Sequence, residues 1–203
     1  MSSPAESPWT QAQQSVLATL VWRALLFGLR GQRFGRGAPP FDPTQEDWLK
    51  PKAATFVTLH RDGALRGCIG TLEPIHPLGE SVARNAQSAA FDDPRFAELR
   101  AEEWPRLSAD ISVLSPHAPL SANSMDDLLA KLAPGRDGLV VRARGLGATF
   151  LPAVWDDLPQ PKAFVDHLWR KAGLPAGAWP ADLALATYTA DKIACGAAPG
   201  QWP

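Results

Sequence analysis

Thr55-Phe56-Val57-Thr58-Leu59-His60-Arg61-Asp62-Gly63-Ala64-Leu65-Arg66-Gly67-Cys68-Ile69-Gly70 is the segment on which the fold of this chain turns. Residues 55–60 are rich in β-branched side chains with one aromatic, the composition of a strand. Asp62-Gly63 then supplies the two-residue turn that joins antiparallel strands. The pairing that follows sets Arg61 against Ala64 and His60 against Leu65. Continued without a break, it sets Leu59 against Arg66 and Val57 against Cys68. Paired residues share a face, so Arg66, Cys68, Val57 and Leu59 are expected together. Phe56, Leu65 and Ile69 fall on the other side. Both faces carry apolar groups, so the hairpin is expected to be covered on both, with Arg66 and Cys68 in a cleft.

Outward from the hairpin the elements are mixed. Thr10 with Gln13 forms a capping box at a helix start. Val16, Leu17, Leu20, Val21, Ala24 and Leu25 follow on one helical face, and the glycines from Gly28 onward are expected to end it. Residues 31–45 read as a Gly/Pro/Arg loop, and residues 46–50 as one helical turn anchored by Trp48. Residues 77–91 read as a helix whose alanines allow close approach to a sheet. Asp92-Asp93-Pro94-Arg95 is a turn, because a residue before proline is pushed out of helical space. Leu107, Ala109, Ile111 and Val113 alternate as a strand. A short helix at 125–132, a strand at 138–143, a helix ending at Lys171 and Gly173, and a strand at 183–189 complete the pattern. Helices and strands without a βαβ rhythm indicate an α+β fold with antiparallel pairing.

Composition narrows the function classes. Over 203 residues the net charge is −1, so no basic field points to a nucleic-acid partner. Two cysteines cannot build a disulfide framework of the secreted kind. The apolar run at 16–29 is interrupted by Arg23 and is shorter than a membrane span. These features lead to the expectation of a cytoplasmic protein with no membrane partner. Arginine outnumbers lysine and Ala, Gly and Pro are abundant, residues with GC-rich codons, from which a bacterial source is expected.

The candidate chemistry gathers on the second strand. Arg66 in a covered strand needs a partner. That partner is either a bound carboxylate or phosphate, or an internal acid such as Asp110. Cys68 is either a nucleophile beside a cation or a buried, inert thiol. Gly67 and Gly70 mark either the approach of a ligand or tight packing under the helix at 77–91. His76 is a candidate base for Cys68. Asp93 and Arg95 either bind a substrate or cap the turn. The four histidines show no metal-ligand spacing, and neither a P-loop nor a Gly-x-Ser-x-Gly motif occurs.

Leu65-Arg66-Gly67-Cys68-Ile69-Gly70 resembles the signature of the AMMECR domain family. Phe56-Val57-Thr58-Leu59, Asp93-Pro94-Arg95-Phe96 and Ile111-Ser112-Val113-Leu114-Ser115 resemble its neighbouring blocks. Thr149-Phe150-Leu151-Pro152, Val154-Trp155 and Lys171-Ala172-Gly173-Leu174 resemble its later ones. The resemblance covers roughly residues 12–190. It implies a two-lobed α+β fold, mainly antiparallel, with a larger lobe built from both chain ends and a smaller central lobe. Residues 10–195 would form this one domain, with 1–9 and 196–203 as flexible ends. The family has no settled activity. The resemblance also implies partners, a Memo-like and a radical-SAM protein of the AmmeMemoRadiSam system, and no cofactor. The expected role is an enzyme, or substrate-handling partner of one, for a small anionic molecule. Arg66 would bind the anion, Cys68 would act as nucleophile or thiol contact, and Asp93 and Arg95 would shape the rim. The alternative is an interaction module docking through Trp48, Trp155 or Trp179.

Overall fold

The computed structural model describes residues 7–34 and 41–200. In chain order the elements are α1 (Gln11–Leu29), β1 (Thr55–Arg61), β2 (Ala64–Gly70), α2 (Leu78–Phe91), β3 (Leu107–Leu114), β4 (Ala118–Pro119), α3 (Met125–Lys131), β5 (Gly138–Ala143), β6 (Leu146–Phe150), α4 (Pro161–Lys171), β7 (Ala184–Tyr188) and β8 (Ala190–Ala197). Short 3₁₀ turns occupy Asp47–Leu49, Ala101–Arg106 and Pro152–Asp156. The result is an α+β fold. The chain divides into two compact units, residues 1–114 with 191–203 and residues 115–190.

The first unit is a four-stranded sheet, ordered β2-β1-β3-β8, with α1 and α2 supplying its core. The capping box forms as expected, Thr10 accepting from the Gln13 N–H and Gln13 accepting from Thr10. Leu17, Leu20, Val21, Ala24 and Leu25 are buried. The helix passes through Gly28 and stops at Leu29. One face of β1 meets α2 through a buried polar contact, Thr55 Oγ1 to Ser81 Oγ at 2.8 Å, with Asn85 Nδ2 donating to the Thr55 carbonyl. Val57 and Leu59 continue this inner face and are fully buried beneath Ala86 and Ala89.

The hairpin turn is as the sequence indicates, with Asp62 at φ 52° and Gly63 at φ 80°, both in the left-handed region that a two-residue turn of this kind requires. The pairing beyond it is not. His60 faces Leu65, but Leu59 faces Gly67, Thr58 faces Cys68 and Val57 faces Ile69. Arg66 is the extra residue of a β-bulge. The expected Leu59–Arg66 and Val57–Cys68 pairs are therefore corrected, because one unpaired residue reverses the alternation beyond it.

The second unit is a sheet ordered β4-β7-β5-β6. Its core joins Leu139 and Val141 of β5 to Phe164, Val165, Leu168 and Trp169 of α4. Trp155 is buried and stacks on Phe164 with ring centroids 3.8 Å apart. Two strands escape the sequence pattern. β6 falls in a stretch with no expected element, and β8 runs into the end expected to be loose.

Residues 196–200, expected to be flexible, are held. Ala198 N–H donates to the Leu107 carbonyl and Trp104 Nε1 to the Pro199 carbonyl. Trp9 likewise packs on Trp48, with centroids 6.2 Å apart. Leu49, not Trp48, is the buried residue of its turn. Residues 1–6, 35–40 and 201–203, which include parts of the expected loop and ends, lie outside the described residues.

Candidate functional site

The bulge separates what the sequence groups together. Arg66 turns to the inner side, where it meets Glu103. Its Nε lies 2.7 Å from Glu103 Oε2 and its Nη2 lies 2.9 Å from Oε1. Nη2 also donates to the Ala97 carbonyl at 2.9 Å. Arg61, on the same side of β1 as Leu59, adds a third guanidinium contact to Glu103 at 2.8 Å. The Arg100 backbone N–H supplies a fourth donor to the carboxylate. Arg66 is thus an ion-paired residue, as one of its two readings holds, but the acid is Glu103 and not Asp110. The pair is well covered, with side-chain exposures of 7% for Arg66 and 14% for Glu103. The Arg66 guanidinium foremost holds the Glu103 carboxyl down to about 2, against the opposing cost of burial. Arg66 Nη1 is buried and has no hydrogen-bond acceptor.

Gly67 follows the bulge and faces α2. A Cβ placed there would stand 2.0 Å from the Ala89 carbonyl oxygen. Helix and strand meet so closely that only glycine fits. A Cβ at Gly70 would meet the Phe56 ring at 2.2 Å and the Thr55 carbonyl at 2.4 Å. On the sides where their side chains would project, both glycines are filled by the protein, which favours the packing reading.

Asp93 is buried and acts on backbone. Its Oδ2 accepts from the Cys68 N–H at 2.9 Å and from Arg95 Nη2 at 2.7 Å, while Oδ1 accepts from Arg95 Nε at 3.0 Å. Arg95 Nη2 reaches the Cys68 carbonyl at 3.4 Å. The Arg95 guanidinium, then burial in opposition, then the Cys68 N–H set the Asp93 carboxyl, whose net shift is well below the carboxylate range. Asp93 and Arg95 therefore cap the turn and hold strand β2.

Cys68 points to the outer side. Thr58 Oγ1 donates to its Sγ at 3.3 Å, and the thiol is half-buried. Thr58 also faces Asp110 of β3, so Cys68, Thr58 and Asp110 form one row across three strands. His60, two residues along β1 on that face, sets Nε2 3.2 Å from Asp110 Oδ2. Lys192 of β8 sets Nζ 3.3 Å from the same oxygen. The outer face at this end is polar rather than covered by apolar groups. His76, the base considered for Cys68, goes instead to Glu80, 3.5 Å away on α2. The sequence signal for His60 and Asp110 is their placement on the same face of adjacent strands, visible only once β1 and β3 are known to pair. Cys195 lies on the opposite edge strand, three strand spacings or about 14 Å from Cys68, too far for a disulfide. Burial pushes the Cys195 thiol up to about 12.

Comparison with known proteins places this geometry. The AMMECR1 family model matches residues 29–193. The chain belongs to the AMMECR1 family. It is 38% identical over 151 residues to a protein of Thermococcus gammatolerans, covering 70% of each chain. It is 39% identical over 145 residues to Protein MK0488 of Methanopyrus kandleri, covering 68% of this chain and 67% of the relative. Among solved structures it resembles the uncharacterized protein PH0010 from Pyrococcus horikoshii, with a TM-score of 0.75 and 33% identity over 88% of this chain and 89% of that one. These relatives are archaeal, which overturns the bacterial source expected from composition. Among the described residues of this AMMECR1-family chain, no helix is long and apolar enough to cross a membrane. No group of three or more His, Cys, Asp or Glu among them is placed to hold a metal ion.

Proposed function

We propose that this AMMECR1-family protein handles a small anionic molecule through a thiol site on the outer face of its first sheet, as an enzyme or as the substrate-handling partner of one. The observation that carries this reading is the row Cys68–Thr58–Asp110 with His60 bonded to Asp110 beside it. Cys68 is the nucleophile or thiol contact. The Asp110 carboxylate at Nε2 favours the tautomer with its proton there, leaving Nδ1 of His60 as the basic nitrogen. Lys192 supplies a cation at the edge of the same face for an anionic substrate. Arg66 takes no part in this site, since its guanidinium is directed inward to Glu103. The setting proposed is the cytoplasm, alongside Memo-like and radical-SAM partners.

The interaction-module alternative finds little support in its tryptophans. Trp155 is buried, Trp48 packs on Trp9, and Trp179 stacks on Trp169.

The test is the rate of Cys68 alkylation against pH in the folded protein carrying Cys195→Ser. Cys68 is expected to label in the folded state, and His60→Ala to change the pH profile. Labelling of Cys68 only on unfolding would refute the thiol site.

A further inference from the structure

The inner side of the hairpin carries a second feature that the thiol reading leaves unused. An open groove of about 640 Å³ lies between β1, β2 and the segment after α2. Its walls include Arg61, Arg66, Arg95, Phe96, Arg100 and Glu103. That volume is within the range of small-molecule sites.

The charges in the groove are unevenly committed. Arg95 is matched by Asp93. Arg61 and Arg66 share the single carboxylate of Glu103, so this trio holds one positive charge in excess. Both Glu103 oxygens are already occupied by protein donors. Arg66 retains a buried Nη1 with no acceptor, although nearly all buried donors in proteins have one. Glu98 and Glu102 also line the groove and, like Arg61 and Arg100, are exposed, but the charge of Arg100 offsets that of Glu102. Glu98 is further drawn to Arg33, 3.5 Å away. The Phe96 ring stands between two guanidinium groups, 5.8 Å from that of Arg66 and 5.5 Å from that of Arg95, and gives the groove one apolar wall.

We propose that this groove binds the oxyanion group, carboxylate or phosphate, of a small molecule. Arg61 and Arg100 contact the oxyanion, the excess charge of the Arg61–Arg66–Glu103 trio holds it, and the body of the ligand lies against Phe96. A planar guanidinium presents paired donors that match two oxygens of such a group, which a chloride ion cannot reproduce. The site lies on the opposite face of β2 from the Cys68 side chain and stands whether or not that thiol reacts.

The experiment is titration of the full chain with inorganic phosphate and, separately, with citrate, at ionic strength held constant with sodium chloride. Binding is followed by amide NMR shifts and by calorimetry. Saturable binding of at least one probe is expected, with shifts centred on residues 95–103. Arg61→Gln and Arg100→Gln are each expected to weaken it by about tenfold. Cys68→Ser should leave it unchanged. Preference for phosphate assigns a phosphorylated ligand class, and preference for citrate a carboxylate class. If Arg61→Gln fails to fold, Arg100→Gln decides, because that side chain belongs to an exposed residue. Unsaturable shifts for both probes, or undiminished affinity in Arg100→Gln, would overturn the proposal.

Discussion

Replacing Glu103 by glutamine keeps the shape of the side chain and removes its charge. The Arg66 guanidinium, 7% exposed, would then be a buried cation without a counterion. Breaking a buried pair on one side costs about 3–5 kcal/mol. The lower end applies here, because the Ala97 carbonyl and the Phe96 ring remain beside the cation. The same contact, read through the carboxyl's depressed pKa, gives a similar figure. A carboxyl that falls from its ordinary 4.5 to about 2 on folding contributes about 3 kcal/mol at 1.36 kcal/mol per pKa unit. Its folded pKa is depressed, so this stability is complete above pH 4.5 and disappears as pH falls through about 2. For a chain of this length, about 3 kcal/mol lowers the melting temperature by roughly 6–12 °C. Calorimetry of Glu103→Gln beside the parent at about pH 7 should show that drop, and the difference should close at about pH 2. The double variant Arg66→Met with Glu103→Leu should recover much of the loss, since an apolar replacement for a buried pair is often neutral. A Glu103→Gln protein melting within about 1 °C of the parent at neutral pH would refute the reasoning.

Other outcomes follow from the same geometry. Gly67→Ala should cost about 1–3 kcal/mol or more in urea unfolding, because the new methyl collides with helix backbone and not with a movable side chain. A loss below about 0.5 kcal/mol would mean that α2 gives way readily. Asp93→Ala should accelerate hydrogen exchange at the Cys68 amide by about tenfold, since that N–H loses its acceptor. Unchanged protection would show that Asp93 does not hold the strand. Cys195 should resist alkylation at about pH 8 until the protein unfolds, its thiolate being suppressed by burial. Rapid labelling in the folded state would contradict that burial. Thr10→Ala should lower stability by about 1 kcal/mol through the lost cap of α1, measured by chemical denaturation.

What the sequence disclosed and what it concealed divide by range. The Asp62-Gly63 turn is legible because its two residues tolerate the left-handed backbone by themselves. The helix over 78–91 is legible from its alanine and valine spacing, and the Thr10–Gln13 cap from four consecutive residues. The bulge at Arg66 is not legible. It is supported by Glu103, 37 residues away, and by the backbone of Ala89 pressing on Gly67. No local pattern carries either contact. Plain alternation therefore sets Arg66 and Cys68 on one face, whereas a single unpaired residue sends them to two. Glu103 carries no sequence signal of its own, because it sits among the polar residues of a short 3₁₀ turn. Asp110 is singled out in the sequence, but as a partner for Arg66; its contact with His60 is hidden because it requires β1 and β3 to be adjacent. β8 is not legible because its small residues, Ala190, Ala194, Gly196 and Ala197, weaken the alternation that marks a strand.

The side chains of Asp93 and Arg95 also decide where this sheet can grow. β2 is its outermost strand, and at Cys68 the outward N–H and carbonyl are already engaged by one carboxylate and one guanidinium. Two residues thus do at this point the work of a neighbouring strand. An incoming chain would have to break the ion pair between buried Asp93 and half-exposed Arg95 before it found a free backbone donor there. The border is blunted against edge-to-edge aggregation by the same kind of device as inward-turned charges and bulges, and the Arg66 bulge lies two residues away. Strand addition by a partner is thereby disfavoured at this stretch of β2.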